Sequence, residues 1–530
     1  MDTERATVGG AALGGPARDA ITVEPLVREL PSSWKPLRVL AAVERLPHTI
    51  FLESAGEEHE SCEWTILAFD PAWRLELRDG ALRQIQRGEG GVELPAVALP
   101  GHPLDALAAA WPARVEFGAA GSGAGAPIPF VSGLAGYLSY DLKDWIERYP
   151  SRALRESPVP DLSLGYYDVV WAWQRSTGKA WVVATGLPEP DPAWRATRAE
   201  TRLEKQWRVV AEAIGAGGAG GGEGAAGSDG TEGAADQPAA RDPELAEWLA
   251  GPPPAVESNF TRASYRDLVA RALDHIAAGD VYQVNLAQRF RVSPAPPARV
   301  LYRALREAAP SPFLAFVSME NGAGLASSSP ERFFRIEGDR IETWPIKGTR
   351  PRGATPEEDA ALAGELRRSE KDRAENVMIV DLERNDLGKV CVTGSVHVSA
   401  LCEVTSHSNV HHLISRVEGQ LRGDAGPVDV LRAMFPGGSI TGAPKIRSIE
   451  VIDELEPVRR GLYTGAIGYW DVGGDCDWNI AIRTVVAGDG GASFHAGGGI
   501  VADSVPDAEY EETLVKASGM MRALGVRWEE

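Results

Sequence analysis

The chain has 530 residues, of which 44% are hydrophobic and 24% are charged. This composition is typical of a soluble globular protein and excludes a chain that is disordered throughout. Lys and Arg total 54 against 75 Asp and Glu, and a net charge of −21 without any basic block argues against nucleic acid as a partner.

Cysteine usage and hydropathy indicate the compartment. The four cysteines have no metal-binding or disulfide-framework spacing; they are Cys62, Cys391, Cys402 and Cys476. The N-terminal sequence lacks a basic region followed by an apolar one, and no apolar run reaches the roughly 18 residues of a spanning helix. We therefore expect a cytoplasmic protein that does not enter the membrane.

The length predicts three or four domains, although one large unit can accommodate most of it. Residues 1–20 are rich in Gly and Ala and are predicted to be a disordered tail. Residues 21–214 form an N-terminal region that ends in a predicted helix, 192–214. A segment rich in Gly, Ala and Pro, 215–256, is predicted to be a flexible insert. The remaining region, 257–530, has the more regular patterning.

The first elements after the insert are a helix and a strand. Asn259 or Thr261 is predicted to cap the helix, and Gly279 is predicted to end it. The segment VYQVNLAQRF (281–290) then alternates, which predicts a half-buried strand. Its apolar face would carry Tyr282, Val284, Leu286 and Phe290. Its polar face, directed at solvent or a wet cavity, would carry Gln283, Asn285 and Arg289.

Several further segments have the composition of strands and are separated by predicted helices. The predicted strands are 313–318, 333–336, 390–398, 465–471, 478–486 and 493–500. Consecutive strands that can pair as hairpins favour an antiparallel α+β fold over a doubly wound parallel sheet.

The segment WPIKGTRPRG (344–353) places Lys347, Arg350 and Arg352 within six residues between prolines and glycines. One interpretation is a solvated basic turn. The other is an anion-binding loop with Lys347 as a nucleophile. A lysine of ordinary pKa, about 10.4, is almost entirely protonated at neutral pH, so the second interpretation requires burial or nearby cations, such as these arginines, to lower that pKa.

Two predicted helices carry carboxylates. Ser369 is predicted to cap the helix that contains Glu375, and Asp507 to cap the last helix. Steps of three and four residues on the last helix place three side chains on one face: Glu509, Glu512 and Lys516. Exposed, salt-bridged helix faces are one interpretation. If the two helices converge, Glu375 and Glu512 are instead candidate Mg²⁺ ligands.

Three other motifs were weighed. His407 and His411 are four residues apart, but no third ligand is evident, which argues against zinc. FPGGSITGAPK (435–445) lacks Walker A spacing and is predicted to be a turn before a helix that begins near Ala443 or Pro444. The glycines of HAGGGIV form either a tight strand connection or a place where backbone approaches a ligand.

Six motifs occur in order in the second half of the chain: PIKGTRPRG, ENVMIVDLERNDLG, FPGGSITGAPK, YTGAIGYW, NIAIRT and GGGIVADSVPDAEYEETLVKA. Together they resemble the chorismate-utilising family that includes anthranilate, isochorismate and aminodeoxychorismate synthases. The resemblance is strong over 258–525 and weaker in FLESAGE and PFVSGLAGYLSYDL. It implies an α+β fold in which two large antiparallel β-sheets pack as a sandwich with helices outside.

The resemblance also implies a site. Mg²⁺ would be bound by Glu375 and Glu512, with Glu509 nearby, and would hold the ring carboxylate of chorismate. Gly348 and Thr349 would line the ring. The groups that hold the carboxylates would be Tyr463, Arg483, Lys516 and the backbone of Gly497, Gly498 and Gly499.

Within the family, PIKGT resembles the aminodeoxychorismate synthases, whereas anthranilate and isochorismate enzymes usually have Ala in place of Lys347. Enzymes that add water at C2 have a base lysine where this chain has Gln283. The implied mechanism has Lys347 attack C2 while Glu331, helped by His412, protonates the departing 4-hydroxyl. Ammonia then adds at C4 and expels the lysine.

The resemblance implies partners as well. No cysteine lies in a glutaminase-type nucleophile motif, so a separate glutamine amidotransferase subunit would supply ammonia. A tryptophan pocket would include Ser54, Pro312 and Phe313, with a regulatory or a structural role. Two alternatives stay open: component I of anthranilate synthase, and a non-catalytic regulatory paralogue.

Overall fold

The structure is a computed structural model that describes residues 21–54, 63–88, 92–117, 128–149, 152–217, 242–406 and 410–528. The predicted tail, 1–20, lies outside the described residues. Two large antiparallel sheets dominate the fold, and the α+β sandwich expected from the sequence is confirmed.

The strands are numbered in chain order. They are β1 Ile21–Val23, β2 Leu26–Glu29, β3 Ile50–Glu53, β4 Trp64–Ala68, β5 Trp73–Arg78, β6 Ala81–Gln86, β7 Val97–Ala98, β8 Val115–Phe117, β9 Gly133–Leu138, β10 Leu162–Tyr167, β11 Val169–Gln174, β12 Ala180–Ala184, β13 Ala255–Ser258, β14 Gln283–Ser293, β15 Phe313–Ser318, β16 Gly324–Ser329, β17 Arg332–Glu337, β18 Arg340–Thr343, β19 Ile346–Pro351, β20 His397–Ser406, β21 Val410–Gln420, β22 Gly442–Ala443, β23 Ala466–Asp471, β24 Cys476–Ile480, β25 Thr484–Gly488 and β26 Gly491–Ile500.

The α-helices are α1 Pro36–Val43, α2 Pro103–Ala110, α3 Pro192–Gly217, α4 Pro243–Ala250, α5 Arg262–Ala277, α6 Ala298–Ala308, α7 Pro356–Arg368, α8 Glu370–Gly388, α9 Pro427–Met434, α10 Lys445–Leu455 and α11 Pro506–Ala523. Short 3₁₀ turns span Tyr140–Trp145 and Glu320–Gly322.

The strands form two large sheets. Sheet I has the order β19-β21-β18-β17-β24-β23-β9-β10-β5-β6-β7, with β20 also paired to β21. Sheet II has the order β13-β14-β26-β25-β16-β15-β3-β4-β11-β12-β2, with β22 also paired to β14. A small parallel pair joins β1 to β8. Strands from before and after the Gly-rich segment alternate in both sheets, since β9 pairs with β23 and β3 pairs with β15.

The two sheets pack face to face over a shared apolar core. It contains side chains of sheet II and of sheet I, among them Ile50, Ile66, Val170, Ala135, Tyr137 and Ile467. The outer face of sheet I is covered by α2, α8 and α9, and that of sheet II by α1, α3, α6 and α11. Central strands such as β9, β11 and β12 are buried on both faces, so clean alternation of apolar and polar residues is lost in them.

Several predicted elements are confirmed. Thr261 caps α5 through a capping box with Ser264, and Ser369 caps α8 by accepting from the Asp372 N–H. Strand β15 has the predicted bounds, and α10 begins directly after Pro444.

Other element predictions are wrong. Residues 390–396 are turns rather than strand, and the predicted strand 478–486 is broken around Arg483 into β24 and β25. Asp507 does not cap α11, because the helix begins at Pro506 with Val505 before it, and Asp507 instead pairs with Arg262. Tyr282 is 73% exposed because it precedes β14 rather than lying on its apolar face.

The prediction of a flexible insert over 215–256 is wrong for its last part. Residues 218–241 lie outside the described residues, but α4 buries Leu245 fully, and the Trp248 indole N–H donates to the Leu524 carbonyl at 3.2 Å. Strand β13 then pairs with β14. Proline and glycine in 251–254 separate these two elements, and their abundance concealed the short helix.

Within the described ranges, no helix is both long enough and apolar enough to cross a membrane.

Candidate active site

Two crossings of the chain between the sheets carry key side chains. Glu331 lies on the link from β16 in sheet II to β17 in sheet I, and Arg483 lies on the link from β24 in sheet I to β25 in sheet II. The two links run side by side, because the Ile480 N–H donates to the Glu331 carbonyl and the Ser328 N–H donates to the Arg483 carbonyl, each at 3.0 Å. Side chains on these links reach the space where the sheets meet.

Lys347 belongs to a strand rather than a turn. Strand β19 pairs with β21 at the edge of sheet I, so the interpretation of a solvated basic turn is wrong. The expectation that the neighbouring arginines act on Lys347 is also wrong. Arg350 pairs with Glu365 at 2.8 Å and Asp372 at 3.2 Å, and Arg352 pairs with Asp359 at 2.7 Å.

Lys347 and Glu331 meet at Ser439. The Lys347 Nζ donates to the Ser439 carbonyl at 3.0 Å, and Glu331 is hydrogen-bonded by the Ser439 side chain and the Ile346 backbone. Burial lowers the pKa of Lys347, although the negative charge of Glu331 raises it. Burial raises the pKa of Glu331, although the positive charge of Lys347 lowers it. Both shifts favour a neutral amine facing a neutral carboxylic acid.

His412 lies beside the nucleophile strand. Thr349 and His412 are paired across β19 and β21, and the Thr349 hydroxyl lies 2.9 Å from the His412 Nδ1. Gly348 has a φ of +83°, and a Cβ there would lie 2.9 Å from Asp372 and Leu366 atoms of the neighbouring helices. Glycine is therefore required between Lys347 and Thr349. His407 lies outside the described residues, and His411 is engaged by Ser406 and Asp359.

The helices α8 and α11 bring the predicted acidic ligands to one region. Charge interactions connect Glu375 of α8 with Glu512 of α11, and both with Lys347. Burial raises the pKa of Glu375. Burial also acts on Glu512, but its 2.7 Å ion pair with Lys516 outweighs that effect and lowers the pKa.

Glu509 faces the same place as Glu512. A Cβ on Gly498 of β26 would lie 3.3 Å from the Glu512 Oε1 and 3.4 Å from the Glu509 Oε2, so both carboxylates rest on this glycine. Burial raises the pKa of Glu509, although the Ser504 hydroxyl donates to it at 2.6 Å. Carboxylate oxygens are the protein ligands that Mg²⁺ prefers, so these side chains fit a Mg²⁺ ion.

A tighter trio of possible metal ligands lies elsewhere. Among the described residues, His48, Glu93 and Glu320 are the one group of three whose ligand atoms all fall within 4.8 Å of one another. Arg74 of β5 already bridges Glu93 at 2.8 Å and Glu320 at 3.2 Å, so this trio belongs to an ion-pair cluster.

The predicted glycine connection is a continuous strand. Gly497, Gly498 and Gly499 lie inside β26, paired with β14, so a tight strand connection is wrong. The Lys516 Nζ donates to the Gly497 carbonyl at 3.1 Å. The Gln283 side-chain amide lies against Gly499 and is fully buried. It has no hydrogen-bond partner among the described residues. The polar face of β14 is thus directed inward at the site.

Arg483 and Tyr463 supply the remaining predicted carboxylate contacts. The Arg483 guanidinium forms no ion pair or side-chain hydrogen bond within the described part of the chain, and burial lowers its pKa. Its φ of +50° is unusual for a residue with a Cβ and indicates a constrained position. The Tyr463 ring stacks on His495 at 5.1 Å, and burial raises its pKa to about 12.

A cavity of about 410 Å³ adjoins the far side of Tyr463. Its wall includes Arg289, Arg460 and His495 together with Glu156, which accepts from Arg289 at 2.6 Å. Lys347, Glu331 and the acidic ligands do not line it, so this cavity is not the space around the predicted reactive groups.

The three residues of the predicted tryptophan pocket lie together. Glu53 at the end of β3 pairs with Leu314 of β15, which places Ser54 beside Phe313 and Pro312. The Arg332 guanidinium lies 5.3 Å from the centre of the Phe313 ring. Tryptophan binding there stays a prediction.

Sequence reasoning missed two contributors. Ser439 connects Lys347 with Glu331, and Lys371 lies 3.9 Å from Glu375. Ser439 lies in FPGGSITGAPK, which predicted only a turn, and Lys371 lies just before ENVMIVDLERNDLG. Spacing within one motif does not indicate which other motif it contacts.

The fold and site bring a buried lysine, buried carboxyl groups and Arg483 together where the two sheets meet. The family of chorismate binding enzymes matches residues 48–522, and the chain belongs to this family. It is therefore a chorismate-utilising enzyme.

The relatives include two kinds of synthase. Component 1 of the aminodeoxychorismate synthase of Bacillus subtilis is 36% identical over 91% of this chain and 93% of its own length. Component 1 of the anthranilate synthase of Bacillus caldotenax is 35% identical over 97% of this chain and 96% of its own. Component I of the anthranilate synthase of Streptococcus pneumoniae has a TM-score of 0.67 at 30% identity, covering 87% of this chain and 93% of its own. These similar identities do not distinguish the two activities.

Proposed function

We propose that this chorismate-utilising enzyme is the chorismate-aminating component of an aminodeoxychorismate synthase, which converts chorismate and ammonia to 4-amino-4-deoxychorismate and water. The observation that supports this choice is the pairing of Lys347 with Glu331 at Ser439. Burial drives both groups toward their neutral forms, which are the forms a nucleophile and a general acid need.

In the proposed reaction the neutral Lys347 amine attacks C2 of chorismate. Both ring double bonds shift by one position, and the C4–oxygen bond breaks as Glu331 donates its proton, so that water departs. Ammonia then forms a bond to C4, the double bonds shift back, and the Lys347 amine leaves C2. His412, held by Thr349, would assist proton transfer at the departing hydroxyl. The covalent step replaces one difficult displacement with two easier ones.

Substrate capture would depend on local charges, since a net charge of −21 repels a dianion at long range. Arg483, which has no partner among the residues that the structure describes, is available to bind one carboxylate, and Lys516 and Tyr463 complete the predicted set. Gly348, Thr349 and the backbone of 497–499 would leave room for the ring. Each donor replaces hydration that the substrate loses on entering the site.

We further propose Mg²⁺ as the cofactor, held by Glu375 and Glu512 with Glu509 nearby. The ion would bind the ring carboxylate and neutralise its charge. Lys371 and Lys516 now balance these acids. Ammonia would come from a separate glutamine amidotransferase subunit, and L-tryptophan would bind beside Ser54.

The deciding experiment incubates the purified protein with chorismate, Mg²⁺ and ammonium and identifies the products by mass spectrometry. We expect 4-amino-4-deoxychorismate. Anthranilate with pyruvate as the main product would replace the proposal with anthranilate synthase. Absence of turnover with ammonium, and also with a cognate glutaminase, would favour a non-catalytic regulatory paralogue.

A further inference from the structure

One buried acid near Lys347 has no role in the proposed reaction. Glu383 lies on α8 and is 5% exposed. The Thr343 hydroxyl donates to its Oε2 at 2.9 Å. Thr343 ends β18, only four residues before Lys347 in the chain.

The other side of Glu383 contacts the turn that carries Ser439. A Cβ on Gly438 would lie 2.9 Å from the Leu382 Cδ2 and 3.6 Å from the Glu383 Cγ, so this turn, 435–441, packs directly on α8. The next residue is Ser439. Its carbonyl accepts a hydrogen bond from the Lys347 Nζ, and its side chain hydrogen-bonds Glu331. Glu383 therefore hydrogen-bonds the strand that precedes Lys347 through its carboxyl group, and its Cγ lies beside the turn that carries Ser439.

We propose that Glu383 is a positioning residue whose side chain, bonded to Thr343 through its carboxyl group and packed beside the turn 435–441 through its Cγ, fixes the distance between the Lys347 strand and Ser439. This inference concerns the reactive centre of the proposed function and rests on it. Glu383 is not one of the predicted substrate contacts, and it acts through the segments of Lys347 and Ser439, with Glu331 as a neighbouring acid.

The charge state of Glu383 suits this role. Burial raises its pKa to about 8, the Thr343 hydrogen bond opposes this rise, and the neighbouring Glu331 and Asp386 add to it, while Lys445 opposes it. No charged side chain occurs in the turn 435–441. At neutral pH the group is a neutral acid, which packs against the turn without an unpaired charge.

The test compares substitutions at Glu383 by rates of chorismate consumption. Glu383→Ala is expected to lower kcat at least about tenfold with KM changed less than about twofold, because the substrate contacts lie elsewhere. Glu383→Gln is expected to restore kcat to within about threefold, because a neutral amide keeps the shape and the acceptor for Thr343. Asp381→Ala, an exposed change on the same helix, is the matched control.

Stability supplies a second measurement. The pKa of Glu383 is higher in the folded state than the ordinary 4.5, so its contribution is full below about pH 4.5 and is lost as the pH rises through about 8. Glu383→Gln is expected to reduce the fall in Tm between about pH 6 and pH 9.

An unchanged kcat in Glu383→Ala, or equal damage in the Gln and Ala variants, would overturn the inference. If Glu383→Ala does not fold, Thr343→Val decides: a kcat lowered about threefold or more supports the inference, and an unchanged kcat overturns it. Chorismate consumption by the wild-type protein is measured first. Its absence would reject the proposed function, whereas consumption with unaffected variants would reject only the role of Glu383.

Discussion

At the scale of single residues, the protonation states of Lys347 and Glu331 govern the chemistry. Burial lowers the pKa of the amine and raises that of the acid, and these burial effects exceed the attraction between the two groups, which favours the charged form of each. In water the same two groups would both be charged at neutral pH. Burial of the two groups side by side therefore shifts both toward the neutral forms that the proposed reaction requires.

The first prediction concerns the nucleophile. Lys347→Ala should abolish the covalent intermediate and lower C4 amination by about 100-fold or more, because the one-step displacement lacks an activated amine. Intact mass after quenching and product analysis measure both effects. Lys179→Ala, an exposed lysine, is the control. Wild-type rates in Lys347→Ala would remove it from the nucleophile role.

The second prediction concerns pH. The rate should rise as Lys347 loses its proton and fall as Glu331 loses its own, giving a bell whose limbs belong to the coupled pair. The lowered pKa of Lys347 moves the rising limb to lower pH, and the raised pKa of Glu331 moves the falling limb to higher pH. Glu331→Gln should lower kcat about 100-fold and change the falling limb. A profile with unaltered limbs would contradict this assignment.

The third prediction concerns the metal. Glu512→Gln should weaken Mg²⁺ binding, because it removes one of a few negative ligands. Titration of activity and of direct binding with Mg²⁺ measures this. Glu511→Gln changes the adjacent exposed carboxylate, which pairs with Arg262, and is the control. Identical titrations for Glu512→Gln and wild type would exclude Glu512 as a ligand.

At the scale of elements, edge strand β19 holds the nucleophile, and its position depends on a glycine. Gly348 adopts a φ that disfavours a side chain and lies against α7 and α8. The close approach of these helices is what places Glu375 near Lys347.

The fourth prediction separates the backbone strain that a side chain at position 348 would cause from its steric clash with α7 and α8. Gly348→Ala should lower both Tm and kcat, since it adds backbone strain of about 1 kcal/mol and a steric clash. Gly338→Ala is the matched control, because Gly338 also has a positive φ, of +65°, but has open space around it. It should show the strain alone. Equal effects in the two variants would contradict the role given to the clash.

At the scale of the whole molecule, the sheets join the two parts of the chain. Strands before residue 218 and after residue 241 are neighbours in both sheets, and the inner core takes side chains from both. Neither part can complete a sheet or cover its inner face by itself.

The fifth prediction follows from this shared architecture. Residues 1–230 and 231–530, co-expressed as two chains, should co-purify as one complex with chorismate turnover. Each piece expressed alone should aggregate, because it exposes unpaired strand edges and apolar inner surface. Size-exclusion chromatography and activity assays measure these outcomes. Two separately folded, monomeric pieces would contradict the prediction.

Much of the fold could be predicted where the signals are local. Thr261 and Ser369 cap their helices as expected because a cap needs only residues three positions away. The polar face of β14 and the bounds of β15 followed from composition and alternation. The break at Arg483 could not be predicted, because it arises where the chain passes from one sheet to the other.

The sequence by itself determined the family and the α+β class, because these depend on ordered motifs and local patterns. Only the tertiary structure decided which motifs meet: that Ser439 joins Lys347 to Glu331, that Arg350 and Arg352 pair with acids of α7 and α8, and that Arg483 has no partner among the described residues. The physical reason is that pKa values and charge pairing depend on burial and on neighbours distant in the chain.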